Sequence, residues 1–317
     1  MTVETSAAAG DARRSLLSPQ SSVLAAGLRA VLVKELRGRM RGWRALAVLT
    51  LYLLVLSGFT LLFYLAATGG RSVAAGGGPA VGKIVFFGVA GLQLGLVAFL
   101  APAFSAGAIS GEREKQTFDL LLTTPLPPWV IVAGKLLGAL AYLLLLVLAG
   151  LPLLSLGYLL GGVAPDEVAV AMALLLVTTL TYGAVGLWFS AHLRSTIGAT
   201  VLAYATILVP LAAIPLAALL TAGLIFPLFG PNPPAWFLYA GLFLLSLNPL
   251  ASGGLTAAWL GEGKGLGVIV QEFGQTKLTL LSPWLTLTAT YLLACAALIV
   301  SSIRRLRPAS VRGRRKG

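Results

Sequence analysis

Charged residues are concentrated in one short segment of this apolar chain. Within eight residues there are five charges, at Glu112, Arg113, Glu114, Lys115 and Asp119. Helical spacing places Phe118, Leu121 and Leu122 on one face and leaves the charges available to water or to a protein. Thr123-Thr124-Pro125 ends the helix, because a residue before proline disfavours the α region. The pattern predicts either a short amphipathic helix that receives force from a partner or a solvated loop.

Residues that could catalyse a reaction or bind a metal are scarce. One cysteine, Cys295, and one histidine, His192, exclude a disulfide framework and a Cys/His metal cluster. Gly77 to Lys83 reads G-x-x-x-x-G-K, but Ile84 stands where a nucleotide-binding loop needs Ser or Thr for Mg²⁺. An intramembrane protease is disfavoured, since the spans lack paired aspartates and a Gly-x-Ser-x-Gly motif. We therefore predict no catalytic residue, cofactor or metal in this chain.

The composition is that of an integral membrane protein. The 317 residues are 58% hydrophobic and 10% charged, with a mean hydropathy of +0.93. Soluble domains carry about 25% charged residues. We predict an all-α fold with six spans, because about 20 apolar residues in a helix cross the hydrocarbon core. The predicted spans are about 45–66, 84–109, 136–160, 168–191, 197–226 and 284–303.

The basic residues predict the topology. Six spans place 19 of the 23 lysines and arginines on the side of both chain ends, which the positive-inside rule makes cytoplasmic. We predict a bacterial-type inner (plasma) membrane, a disordered tail at 1–21 and a basic cytoplasmic tail at 304–317. The basic residues behind the net charge of +13 are therefore interpreted as topology anchors beside anionic lipid headgroups, and nucleic acid is excluded as a partner.

Residues 22–44 predict an amphipathic elbow helix before the first span. Apolar residues recur at helical spacing, while Lys34, Glu35, Arg37 and Arg41 contribute to the polar face. Such a helix lies in the headgroup plane. It either anchors the first span or moves with that span against a cytoplasmic partner.

Residues 227–283 are predicted to form an external or re-entrant region. Ala235–Leu247 is apolar but too short to cross before Asn248-Pro249. A re-entrant or interfacial helix is the favoured interpretation, and an extension to Leu260 would make a seventh span.

The charged segment resembles a known family signature. It reads Gly111-Glu112-Arg113-Glu114-Lys115-x-Thr117-x-x-Leu120-Leu121-Leu122-x-Thr124-Pro125-Leu126, which is similar to the motif after the second span in permease subunits of type-2 ABC (ATP-binding cassette) transporters. That motif usually reads S-x-E-R-E-x-G-T-L-E-x-L-L-x-[ST]-P. Gln116 replaces the usual glycine and Phe118-Asp119 the usual Leu-Glu, and we expect neither change to interrupt the helical face. Lys34-Glu35-Leu36-Arg37, Gly134-Lys135 and Asn248-Pro249-Leu250 also resemble parts of the family.

The resemblance implies a coupling segment, 110–126, that contacts a separate ATPase. The residues implied in this contact are Glu112, Arg113, Glu114, Lys115, Thr117, Phe118, Asp119, Leu121 and Leu122. It further implies two cytoplasmic ABC ATPase subunits, which bind ATP and Mg²⁺, and a second permease chain. Export is the implied direction of transport.

Two functions fit this sequence. The absence of Asp, Glu, Lys and Arg from the predicted spans favours an externally powered transporter over an ion-coupled carrier. A non-transporting membrane anchor of an ABC-type ATPase, with a cell-envelope, division or motility role, would share the same architecture. The residues do not identify a substrate.

Overall fold

The structure is a computed structural model that describes Val33 and residues 43–69, 78–117, 127–221, 223, 234–263, 265–273 and 276–306. In chain order the described elements are α1 (Trp43–Thr68), α2 (Gly78–Ser105), α3 (Ser110–Glu114), α4 (Pro128–Ala149), α5 (Leu151–Leu159), α6 (Pro165–His192), α7 (Thr196–Leu220), α8 (Ala235–Ser246), α9 (Pro249–Gly261), β1 (Val268–Phe273), β2 (Thr276–Leu281) and α10 (Pro283–Leu306).

Six helical stretches in the described chain are long and apolar enough to cross a bilayer. They are α1, the run from α2 into α3, α4 with α5, α6, α7 and α10. This confirms the predicted all-α integral membrane fold with six spanning helices. In α2 and α4 the helix begins before the predicted span, at Gly78 and Pro128, and so includes Lys83 and Lys135. The predicted spans begin one residue after these lysines because a charge-free stretch was required, but a lysine with a partner or an exposed end is compatible with a helix.

The bundle has an inner and an outer set of helices. About half of the apolar stretch is buried in α2, α4 and α6, against less than a fifth in α1, α7 and α10. The core contains fully buried large side chains such as Phe86, Leu143 and Leu187. The outer helices expose large apolar side chains, for example Leu46 and Leu293. Such a surface suits lipid or another apolar protein surface, not water.

The inner helices α2 and α6 cross at very close range. A Cβ atom on Gly186 of α6 would lie only 2.0 Å from Ser105 Oγ at the end of α2. A side chain at position 186 would displace the Ser105 hydroxyl, which donates to the carbonyl oxygen of Ala101 at 2.7 Å, and would crowd Ser105 Cβ. The crossing fixes where α2 ends relative to α6, and α3 begins just beyond it.

The region before the last span has more structure than the sequence predicted. The helix axis bends by 113° between α8 and α9. They are followed by an antiparallel pair of strands, in which Val268 lies opposite Leu281 and Phe273 opposite Thr276. The strands alternate, with Ile269 and Leu278 buried while Val268 and Val270 are exposed. The bent pair of helices is compatible with a re-entrant segment or a broken seventh span, and our prediction of a re-entrant segment stays a prediction.

Candidate functional site

The polar junction consists of residues 108–117 and the side chains that hold them. The chain turns over residues 106–109 after α2 and then forms the short helix α3. Ser190 of α6 accepts hydrogen bonds on Oγ from the N–H groups of Ile109 and Ser110, at 2.8 and 2.9 Å. The first N–H groups of a helix have no partner within it, so Ser190 supplies one. The start of α3 is thereby attached to the end of α6.

Glu112 and Lys135 form an ion pair that joins α3 to α4. Lys135 Nζ lies 2.8 Å from Glu112 Oε1, and the two side chains are 2% and 19% exposed. Lys135 Nζ also donates to the carbonyl oxygen of Ala108, at 2.7 Å. A buried ammonium group is tolerated when it is paired and hydrogen-bonded. Lys135, inside an otherwise apolar helix, therefore holds the turn before α3 and α3 itself.

Glu114 joins α3 to the start of α7. Its carboxylate accepts from the N–H of Thr196 at 2.7 Å and from Thr196 Oγ1 at 2.8 Å. Thr196 is the first residue of α7, where a carboxylate also interacts favourably with the helix dipole. Ser195 adds a cap by accepting from the N–H of Gly198 at 3.3 Å. Glu114 is thus bound within the chain, although its side chain reaches solvent.

Arg113 completes the junction. Its Nη1 donates to the carbonyl oxygen of Leu193, at 3.2 Å, in the loop between α6 and α7. Three consecutive charged residues of α3 therefore bond to three different parts of the chain: Glu112 to α4, Arg113 to the α6–α7 loop and Glu114 to α7. These bonds connect α3 to α4, to the loop between α6 and α7 and to the start of α7.

The structure corrects one prediction for this segment. We expected one helical face to continue through Gln116, but the helix ends at Glu114 and Gln116 has φ +57°. This is the left-handed region, which glycine adopts without strain. Glycine, which is usual at this position of the family motif, would adopt this φ without strain. Gln116 carries a Cβ atom, so the same φ is energetically unfavourable for it.

The predicted contact residues fall into three groups. The side chains of Glu112, Arg113 and Glu114 bond to other elements of the chain, whereas Lys115 and Thr117 are exposed at the tip of the junction, where Thr117 Oγ1 donates only locally to the carbonyl oxygen of Glu112. Phe118, Asp119, Leu121 and Leu122 lie outside the described residues, as do Lys34, Glu35, Arg37 and Arg41 of the predicted elbow helix. Whether any of them contacts an ATPase stays a prediction.

The sequence did not predict the parts played by Ser190 and Thr196. Ser190 belongs to a set of polar residues within spans, for which hydrogen bonds between helices are the default. Ser195-Thr196 before an apolar run is typical of a helix start, and this signal could have identified Thr196. Nothing in the sequence indicates that Glu114 binds there, because the two residues meet only in the folded chain.

The other candidate residues do not form a catalytic or metal-binding arrangement in the described part of the chain. Gly82 and Lys83 lie within α2, so the G-x-x-x-x-G-K pattern is helical there and not a phosphate-binding loop. His192 Nδ1 lies 2.9 Å from the carbonyl oxygen of Trp188, and Cys295 is buried in α10. Among the described residues no group of three His, Cys, Asp or Glu side chains could hold a metal ion.

The comparison with known families agrees with this architecture. The structure defines a multi-pass membrane protein with a charged junction at one end of its bundle. Residues 29–307 match the sequence model described as ABC-2 family transporter protein, and the chain belongs to this family. It is therefore a membrane component of an ABC transporter, and this family is not itself catalytic. No curated protein matches the chain.

Proposed function

We propose that this chain is the permease subunit of an ATP-driven exporter, powered by a separate cytoplasmic ATPase. The observation that supports this proposal best is the junction, where α3 is bonded to α4, to α7 and to the loop after α6. A force on residues 115–127 would move several helices together. A solvated loop would need no such bonds.

In the proposed complex, two ABC ATPase subunits bind ATP and Mg²⁺, and this chain pairs with a second permease chain. The exposed tip with Lys115 and Thr117, and the segment 118–126, would contact the ATPase. Glu112, Arg113 and Glu114 would transmit its movement. We place the complex in a bacterial-type inner membrane with both chain ends in the cytoplasm, because most of the basic residues are then inside.

The experiment separates contact from transmission. Each ABC-type ATPase of the host is co-expressed in turn with the chain, and a pair that co-purifies is reconstituted in proteoliposomes for vanadate-sensitive ATP hydrolysis. Lys115→Glu is expected to weaken co-purification at least about tenfold, since it reverses a charge at the contact. Glu112→Gln and Thr196→Val are expected to keep the ATPase bound but to lose most of its stimulation by the permease.

Asp166→Asn is the matched control for Glu112→Gln. It also removes one negative charge, but at the start of α6, at the end of the bundle opposite the junction. It is expected to leave ATPase binding and stimulation unchanged. If Lys115→Glu, Glu112→Gln and Thr196→Val all retain normal binding and stimulation, the coupling proposal is wrong. Stimulated hydrolysis without movement of any lipophilic or amphiphilic test cargo would favour a non-transporting complex.

A further inference from the structure

Arginines from separate elements meet beside the junction. Trp188 Nε1 of α6 donates to Ser301 Oγ of α10 at 3.0 Å, and Thr181 Oγ1 donates to the Tyr291 carbonyl at 3.3 Å. The two helices thus run in parallel, with Ser301 beside Trp188. One turn beyond Ser301, Arg305 is level with His192 and with the loop that carries Arg194. Arg113, whose Nη1 donates to the carbonyl oxygen of Leu193, lies next to the loop that carries Arg194, within electrostatic range of Arg194 and Arg305.

The described acidic residues at this end of the bundle are bound elsewhere. Glu112 pairs with Lys135, and both oxygens of Glu114 accept from Thr196. Arg194 and Arg305 are exposed. Arg113 already holds the α6–α7 loop through the Leu193 carbonyl. A concentration of positive charge on exposed arginines suits an anion from outside the chain, and a guanidinium fork matches phosphate oxygens.

The depth of these arginines relative to the bilayer indicates that the anion is a lipid headgroup. Ile197, one turn after Arg194, is 76% exposed, and Val201, one turn further, is 59% exposed. Exposed β-branched side chains in line along α7 are suited to the hydrocarbon region. The hydrocarbon boundary therefore lies within about one helical turn of Arg194, which puts the arginines at headgroup level. Trp188, close by on α6, has the side chain that is enriched at this interface.

We propose that Arg194 and Arg305, with Arg113 at the base, bind the phosphate headgroup of an anionic lipid. The lipid would bridge the α6–α7 loop and the end of α10, one turn beyond the hydrogen bond between Trp188 and Ser301. Since Arg113 attaches this loop to α3 and Glu114 attaches the start of α7 to α3, a bound lipid would make the junction more rigid. The proposal depends on membership of a membrane family and not on the ATPase.

The test measures lipid preference on the full-length chain in detergent micelles. Binding of phosphatidylglycerol and of phosphatidylcholine is titrated, with retained lipid counted by native mass spectrometry. The wild-type chain is expected to prefer phosphatidylglycerol. Arg194→Gln and Arg305→Gln are each expected to reduce that preference about fivefold, since each basic residue near a membrane surface contributes about a factor of five. Arg304→Gln, which removes the same charge from the same turn of α10, is the matched control.

The outcomes are distinct. Arg194→Lys/Arg305→Lys retains the charge and is expected to keep part of the preference, which shows that a loss in the glutamine variants is not due to misfolding. An equal loss of the phosphatidylglycerol preference in Arg304→Gln would mean that general surface charge, and not a specific site, attracts the lipid, and this would overturn the proposal. So would an unchanged preference in the double glutamine variant. Displacement of the lipid by millimolar inorganic phosphate would mean that the site binds the free anion, which would overturn the assignment to a lipid headgroup. Loss of ATPase binding in the glutamine variants with unchanged lipid preference would mean that the arginines contact the ATPase, and this would also overturn the proposal.

Discussion

At the scale of single residues, the buried lysine is the most consequential feature of the junction. Lys135 lies in an apolar helix, where an unpaired ammonium group would be very unfavourable. Its charge is compensated by Glu112, and its Nζ also donates to the carbonyl oxygen of Ala108 in the turn before α3. The pair therefore constrains the geometry, because α4 and α3 cannot separate without leaving the buried Lys135 ammonium group without its counter-charge.

Lys135→Met is expected to destabilise the chain by about 3 kcal/mol, because it leaves a half-buried carboxylate and a carbonyl without their partner. The measurement is the unfolding free energy from a denaturant titration in detergent. Lys83→Met removes a half-buried lysine near the start of α2 and is expected to cost about 0.5 kcal/mol or less. In the double variant Lys135→Met/Glu112→Leu, part of the loss should be recovered. An equal cost for both single lysine variants would contradict the role of the pair.

Gln116→Gly is expected to stabilise the chain by about 1 kcal/mol. The native φ is +57°, which is unfavourable for a residue with a Cβ atom but not for glycine. Gln116→Ala should have little effect, because alanine keeps the Cβ atom. Both variants are compared with the wild type in the same denaturant titration. Destabilisation by glycine would mean that the Gln116 side chain makes a compensating interaction.

At the scale of elements, Asn248 connects three helices at the bend between α8 and α9. Its Nδ2 donates to the carbonyl of Leu211 at 2.8 Å, and its Oδ1 accepts from the N–H groups of Leu250 and Ala251. Pro215 has no N–H, so the Leu211 carbonyl has no donor four residues ahead in α7. Asn248, which is 1% exposed, supplies that donor and also caps α9. Asn248 thereby joins the proline-containing part of α7 to the bend between α8 and α9.

Asn248→Ala is expected to cost about 2–3 kcal/mol, from a lost cap and an unpaired carbonyl. In a Pro215→Ala background the Leu211 carbonyl regains a donor within α7, and the same change should cost about 1 kcal/mol less. The four proteins form a double-mutant cycle, measured by unfolding in detergent. A coupling energy near zero would show that the bond to Leu211 contributes nothing.

At the scale of the whole molecule, the predicted topology can be tested with single cysteines. Cys295 is buried and is replaced by alanine, after which either Lys115 or Lys277, which lies in β2, is replaced by cysteine. A membrane-impermeant maleimide applied to spheroplasts should label the cysteine at position 277 directly, and the cysteine at position 115 only after permeabilisation. The physical reason is the retention of basic residues on the cytoplasmic side. Labelling of both positions from the same side would refute the six-span topology.

Several features of this protein follow from the sequence alone. The low charge content requires a membrane environment, and the apolar lengths identify six spans without reference to any contact. The charged segment after the second span is visible because charges are so rare elsewhere. Helical periodicity could not reveal that α3 ends at Glu114, since a single left-handed residue breaks a pattern that otherwise continues.

Which charges remain available to a partner was decided only by the tertiary structure. Glu112, Arg113 and Glu114 look alike in the sequence, yet each is bound by a residue that is distant along the chain, whereas Lys115 is left exposed. The same holds for Asn248 and Leu211, and for Arg194 and Arg305. Local sequence determines how an element forms and how apolar it is. Which polar groups meet depends on how helices cross, and that is fixed by close packing between residues far apart in the chain.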